Sequence, residues 1–203
     1  MKDITIFENF INDEELEEAQ QFTGDESIHF DDYKNTVERG SDWFLSPVDK
    51  CYKKHIIDLR PERLWGGGME NIFPSVKKFI LKIKNRLNKY TNTNFELERV
   101  YLNRRVYGQD GQIHIDSDRP NCYTLLIYIG DITPENYDKA GGVLELKTKE
   151  ITRIEPFTKR AVLFKGYIPH QAYAPLVTGL TRISVAFKFT DTSNELPFSV
   201  NYT

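Results

Sequence analysis

The second half of the chain contains a series of short β-branched and aromatic runs, and this series limits the folds that the chain can adopt. The runs cover residues 123–129, 143–146, 160–164 and 181–189. Their composition and length predict β-strands. Glycine, proline and aspartate separate them, as in the pair Gly141-Gly142. Short strands joined by such turns predict a mainly β-fold, an antiparallel sandwich or jelly roll.

Two helices are predicted in the first half of the chain. Asn12 followed by Glu15 has the pattern of a capping box, so we expect a helix from Asp13 to about Phe22. Pro74 is favourable in the first turn of a second helix. Apolar residues follow it at helical spacing and predict a face that packs on the sheet: Val76, Phe79, Ile80, Ile83, Leu87 and Tyr90.

The length and charge of the chain fit one globular domain without a general affinity for polyanions. Its 203 residues can bury one substantial core, and the net charge of −3 argues against nucleic acid as a partner. We expect a single domain over residues 1–203. Within it, residues 1–98 form a helical and loop support region, residues 99–190 the β-core and residues 191–203 a tail.

The cysteines and the hydropathy of the chain indicate its compartment. Cys51 and Cys122 make no metal-binding or disulfide pattern, which fits a reducing cytosol. No apolar run approaches the roughly 18 residues that suggest a membrane span, and the charged start is unlike a secretion signal. We expect a cytoplasmic protein that does not enter a membrane. Nothing in the sequence indicates an oligomeric state.

Three residues of the second half have the side chains and the spacing of a metal site. His114 and Asp116 are two positions apart, so on an extended strand their side chains lie on the same face. His170, from a distant strand, completes a set of two imidazoles and one carboxylate. This set suits iron(II) and leaves three adjacent coordination positions open. Because structural metal sites are normally closed by protein ligands, the pattern predicts catalysis.

The order of the motifs resembles that of a known enzyme family. The chain has His114-x-Asp116, then Tyr-Thr-Leu-Leu-Ile-Tyr, Gly-Gly, Arg-Ala-Val-Leu-Phe, His170, and finally Arg182-x-Ser184. This order resembles the 2-oxoglutarate and iron(II)-dependent dioxygenases, especially their prolyl-4-hydroxylase-like branch. The resemblance covers roughly residues 99 to 190, and the ordered combination is more specific than any single motif. It implies a double-stranded β-helix, a jelly-roll variant, with flanking helices.

The resemblance also implies roles for individual residues. His114, Asp116 and His170 would bind the iron and form the catalytic centre. Arg182 would pair with the distal carboxylate of 2-oxoglutarate, since a planar guanidinium donates two parallel hydrogen bonds to a carboxylate. Ser184, on the same strand face, would support it. From the residue type alone, Arg182 could also be a surface residue in a weak ion pair.

Two further cosubstrate contacts are implied by the resemblance. Tyr128 occupies a position where relatives place a tyrosine that hydrogen-bonds the cosubstrate, and Asn103 lies on the strand before the metal pair. The alternatives are a core aromatic residue for Tyr128 and a strand-edge residue for Asn103.

The implied activity is the hydroxylation of a C–H bond with release of succinate and carbon dioxide. Its cofactors would be Fe²⁺, 2-oxoglutarate and O₂, with ascorbate as a supporting reductant. The substrate expected first is a prolyl residue in a peptide or a free amino acid, and a small metabolite or a modified nucleotide remains open. Two other classes compete: a cupin-type metal-binding barrel that uses no 2-oxoglutarate, and a binding module without turnover.

Overall fold

The computed structural model describes residues 2–24, 55–58 and 74–193, and these contain nine strands and three helices. In chain order the elements are β1 (Ile4–Phe7), α1 (Asp13–Gly24), β2 (His55–Asp58), α2 (Pro74–Thr91), β3 (Phe95–Arg105), β4 (Cys122–Tyr128), α3 (Tyr137–Ala140), β5 (Leu144–Lys147), β6 (Ile151–Ile154), β7 (Ala161–Lys165), β8 (His170–Ala172) and β9 (Arg182–Asp191).

The strands form two antiparallel sheets. The larger sheet has the order β1-β7-β4-β9-β3-β2, and the smaller has the order β6-β5-β8. Buried side chains from both sheets pack into one cluster, among them Leu126 of β4, Leu144 of β5 and Val162 of β7. Strands β4, β5, β7 and β9 begin and end within two residues of the predicted runs. The predicted jelly roll with flanking helices is therefore confirmed.

The segment that carries the predicted metal pair departs from the predicted regular strand. Its one β-bridge to the smaller sheet in the described residues is that of His114, through two backbone hydrogen bonds with His170 of 3.0 and 2.9 Å. Two residues later, the Asp116 N–H donates instead to the Gly166 carbonyl at 2.8 Å. The segment therefore changes its backbone partner between the two predicted ligands, and the ladder ends after one bridge.

Helix α1 begins as the sequence predicts. The Asn12 N–H donates to Glu15 Oε2 at 3.1 Å, and the Glu15 N–H donates to Asn12 Oδ1 at 2.8 Å. These reciprocal bonds satisfy backbone donors that the first turn would otherwise leave unpaired, so the capping box is confirmed. The helix ends at Gly24, two residues beyond the predicted end.

Helix α2 packs its apolar stripe on the outer face of the larger sheet. Phe79, Ile80, Ile83 and Leu87 are buried in one cluster with residues of β4 and β9. Tyr90 departs from the prediction, because it is 60% exposed and reaches only the edge of this cluster, beside Phe7 and Phe10. Among the described residues, no helix combines the length and the apolar character needed to cross a bilayer.

Candidate active site

The structure brings His114, Asp116 and His170 together at one end of the space between the sheets. One ligand atom from each residue lies within 4.8 Å of the other two. The His114 Nε2 is 3.7 Å from Asp116 Oδ1, and the His170 Nε2 is 3.5 Å from Asp116 Oδ2. The side chains of Asp116 and His170 are only 2% and 6% exposed, whereas that of His114 is 44% exposed. The site is therefore open on the side of His114.

Backbone carbonyls fix the orientation of both imidazoles. The Nδ1 of His114 is 2.9 Å from the Gln112 carbonyl, and the Nδ1 of His170 is 2.9 Å from the Ile168 carbonyl. Since a carbonyl oxygen only accepts, each Nδ1 must carry the proton and donate it. The lone pair is then on Nε2, which faces the carboxylate. Histidine ligands of metals are commonly held in this way, with the ring nitrogen that does not bind the metal donating to a neighbouring carbonyl.

Asp116 presents one satisfied and one unsatisfied oxygen. Its Oδ2 accepts a 2.6 Å hydrogen bond from the Thr124 hydroxyl and an ion pair from the Lys188 ammonium. Its Oδ1 is buried and has no hydrogen-bond partner among the described residues. A buried carboxylate oxygen without a partner is costly, and a cation would satisfy it. With two oriented imidazoles beside it, this donor set fits a divalent metal such as iron(II).

The electrostatics keep both buried ligands in the protonation state that binds a metal. Burial alone would raise the pKa of Asp116, but Lys188 and His170 outweigh it and hold this pKa well below its usual range. Burial lowers the pKa of His170 to about 4, against the opposing effect of Asp116. At neutral pH the carboxylate is therefore ionised and the His170 imidazole is neutral, as metal ligation requires.

Arg182 is the first residue of β9 and is 2% exposed. Its Nε donates to the Gly142 carbonyl at 2.9 Å, and one terminal nitrogen is 3.5 Å from the Tyr128 hydroxyl. Within residues 2–24, 55–58 and 74–193, no carboxylate forms a salt bridge with this guanidinium. Because a buried charge is normally paired, the surroundings of Arg182 form a candidate pocket for an anion.

Tyr128, Ser184 and Asn103 form a row across three strands beside Arg182. Ser184 is directly opposite Tyr128 of β4 on one side and opposite Asn103 of β3 on the other. Directly opposite residues of antiparallel strands share a face of the sheet. The Ser184 hydroxyl is buried without a hydrogen-bond partner in the described chain. Burial raises the pKa of Tyr128, so its hydroxyl keeps a proton that it can donate.

The Gly-Gly turn has a structural role in this pocket. Gly142 has φ +82°, and a Cβ there would lie 3.0 Å from Ile132 Cδ1 and 3.4 Å from Arg182 Cδ. A side chain would thus be strained by the positive φ and would press on Ile132. Glycine at this position allows the turn to aim its carbonyl at Arg182.

Sequence reasoning missed Lys188 and Thr124. Lys188 is 5% exposed and donates to Thr124 Oγ1 at 2.8 Å, in addition to its ion pair with Asp116. A signal for Lys188 was present, because it continues the alternation of β9 that begins with Arg182 and Ser184. A lysine on the inward face of a buried strand requires an acidic partner. The sequence could not identify that partner as Asp116.

Comparisons with known proteins find a likeness in structure only. None of the protein-family models matches the sequence, and none of the curated proteins does. The structure is similar to a prolyl hydroxylase from Trichoplax adhaerens, solved with a peptide fragment of the hypoxia inducible factor oxygen degradation domain. The identity is 19%, the TM-score is 0.56, and the match covers 93% of this chain and 84% of the other.

Two other solved structures agree. An oxidoreductase of the 2OG-Fe(II) oxygenase family from Burkholderia pseudomallei has 12% identity and a TM-score of 0.60, with coverage of 93% and 84%. The viral collagen prolyl hydroxylase of Paramecium bursaria Chlorella virus-1, solved with 2OG, has 16% identity and a TM-score of 0.54, with coverage of 93% and 96%. The chain therefore has the jelly-roll fold of the 2-oxoglutarate and iron(II) oxygenases.

Proposed function

We propose that this protein is an iron(II)- and 2-oxoglutarate-dependent dioxygenase that hydroxylates a C–H bond. One observation carries the proposal: a metal-type donor set and a buried guanidinium that pairs with no carboxylate of the described residues face the same interior of the jelly roll. A metal chelator that ends in a carboxylate would satisfy both. 2-Oxoglutarate has this chemistry, with a keto acid at one end and a carboxylate at the other.

The metal would be held by His114, Asp116 and His170. The donors would be the two Nε2 atoms and the Oδ1 of Asp116, which has no hydrogen-bond partner among the described residues. Three protein ligands leave the remaining positions to cosubstrate and dioxygen. When bound, iron(II) together with 2-oxoglutarate and O₂ supplies the oxidation, with release of succinate and carbon dioxide, and ascorbate would keep the metal reduced.

The residues around Arg182 would orient the cosubstrate. The guanidinium would donate to both oxygens of the distal carboxylate, and the hydroxyls of Tyr128, which lies 3.5 Å from Arg182, and of Ser184, opposite Tyr128, would add further bonds. Asn103 lies beside Ser184 and would line the same pocket. These contacts exclude water from the buried end of the site and fix which end of the acid reaches the metal.

Turnover of the cosubstrate tests the proposal directly. We expect the purified chain, given iron(II), ascorbate and air, to convert 2-oxoglutarate to succinate slowly even without a substrate. The rate should fall to that of a metal-free control when Asp116 is replaced by Ala. The absence of succinate above that control across a range of iron concentrations would favour a binding module without turnover.

The substrate that we propose first is a prolyl residue in a peptide. The support for it is the likeness to a solved prolyl hydroxylase, at a TM-score of 0.56. The solved Trichoplax structure holds a peptide fragment. A free amino acid or a small metabolite is the alternative substrate.

A substrate panel separates these possibilities. Proline-containing peptides, free amino acids and small metabolites would be incubated with the iron-loaded protein and screened by mass spectrometry for a gain of one oxygen. Matched peptides with alanine in place of proline are the control. Oxidation of the alanine peptides, or of free amino acids alone, would contradict the prolyl proposal while leaving the oxygenase proposal intact.

The competing cupin-type reading predicts a site richer in histidine. In the described part of the chain, one group of residues could hold a metal, and it contains two histidines. The cytoplasmic location stays a prediction, which localisation of the tagged full-length protein in cells would check.

A further inference from the structure

We propose that Lys188 is a positioning residue that makes the metal ligand set electrically neutral, so that the metal is held firmly only together with the anionic cosubstrate. This inference rests on the proposed function and adds a residue to it. It starts from an unusual combination, a buried ammonium in direct contact with a carboxylate that is also a metal ligand.

The contacts divide the two oxygens of Asp116 between different tasks. Oδ2 is occupied by Lys188 and by the Thr124 hydroxyl, which itself accepts from Lys188. Oδ1 has no hydrogen-bond partner in the described ranges and is the oxygen near His114. With one oxygen engaged in this way, the carboxylate can offer only the other to a metal. Lys188 thereby favours ligation through a single oxygen and leaves more of the coordination sphere open.

The same contact changes the charge that a metal meets. Two neutral imidazoles and one carboxylate carry a charge of −1, which is the attraction that a site of this kind offers to a divalent cation. The Lys188 ammonium contacts the Asp116 carboxylate directly and cancels that charge. In a buried site the repulsion between two cations a few ångströms apart is only weakly screened. The protein alone should therefore bind the metal less tightly than an equivalent site without the lysine.

An anionic cosubstrate reverses this balance. 2-Oxoglutarate is a dianion, and its binding would offset both Arg182 at one end of the pocket and the excess positive charge at the metal end. The two buried cations lie six positions apart on β9 and on the same face of the strand. Metal and cosubstrate should then each raise the affinity for the other, and by thermodynamic linkage the two factors are equal.

The test measures Co²⁺ binding to the purified full chain by calorimetry, with and without 2-oxoglutarate. Lys188→Met removes the charge and keeps the length of the side chain, and Lys188→Gln removes the charge but keeps a hydrogen-bond donor. We expect both to bind Co²⁺ alone more tightly, by about tenfold or more. The factor by which 2-oxoglutarate tightens Co²⁺ binding should fall by a similar amount. Lys188→Arg retains the charge and should restore wild-type behaviour.

The sign of the effect separates this role from a structural one. A lysine that only stabilises the fold would weaken Co²⁺ binding when it is removed, in both uncharged variants. That outcome, or an unchanged coupling between Co²⁺ and 2-oxoglutarate, would overturn the inference. Lys147→Met is the control, because Lys147 is exposed on β5 and should leave both values unchanged. If the wild-type chain binds no Co²⁺ even in the presence of 2-oxoglutarate, the proposed function fails, whatever the variants do.

Discussion

The buried guanidinium of Arg182 provides the most direct test of the anion pocket. Replacing it with methionine keeps a flexible, unbranched but shorter side chain and removes the charge and all its donors. Two charge-assisted hydrogen bonds to a carboxylate contribute about 1.5–3 kcal/mol each, or roughly 3–6 kcal/mol together. Since 1.4 kcal/mol corresponds to about a factor of ten in affinity, Arg182→Met should weaken 2-oxoglutarate binding by about two to four powers of ten.

Although Arg182→Met should lose affinity for 2-oxoglutarate, its stability without ligand should not fall. In the absence of an anion, Arg182 is 2% exposed and its Nε donates to one carbonyl, that of Gly142. Losing that bond costs about 1 kcal/mol. Removing an uncompensated buried charge recovers a desolvation cost of several kcal/mol. We therefore expect the melting temperature of the ligand-free Arg182→Met protein to be equal to or above that of the wild type.

Calorimetry with 2-oxoglutarate and thermal unfolding without it measure the two effects. Arg104→Met is the matched control, because Arg104 is exposed on β3 and its replacement should affect neither quantity. Metal binding should survive in both variants. If Arg182→Met bound 2-oxoglutarate nearly as well as the wild type, or unfolded several degrees earlier, the pocket would not be an anion site.

Two further predictions concern the turn beside Arg182 and the support for α1. Gly142→Ala should destabilise the protein by about 1–2 kcal/mol through its positive φ and should also weaken 2-oxoglutarate binding by displacing its carbonyl. Gly179→Ala is the control, because Gly179 also has a positive φ of +87° but no atom lies within 4 Å of the added Cβ. It should lower stability without weakening 2-oxoglutarate binding. Glu15→Gln should lower stability at neutral pH by about 2 kcal/mol, since Glu15 forms a two-pronged ion pair with Arg86. The hydrogen bond from Arg86 lowers the pKa of Glu15, so this stabilisation is present above the unfolded pKa and disappears as the pH falls through the folded one. Urea unfolding at neutral and acidic pH should show the wild type and Glu15→Gln converging in acid.

Local patterns predicted the fold well because they depend on short stretches of chain. The alternation along β9, the buried run of β4 and the capping box at Asn12 each involve residues within one element, and the structure has all three. The strand expected around His114 was one exception, and β1 and β2 were another, because they lie in the part of the chain that was expected to be helix and loop. The length of the strand at His114 depended on the backbone partners that the rest of the chain offered, and after one bridge with His170 the next partner was Gly166.

The candidate ligands and the anion pocket were identified from motifs, and their surroundings were decided by packing. The sequence by itself determined which side chains face the interior, because the two-residue repeat of a strand is a property of the backbone. Only the tertiary structure decided that Lys188 contacts Asp116, that one oxygen of Asp116 has no hydrogen-bond partner in the described residues, and that none of their carboxylates pairs with Arg182. Those features depend on contacts between residues far apart along the chain, and no local periodicity specifies which distant side chains meet.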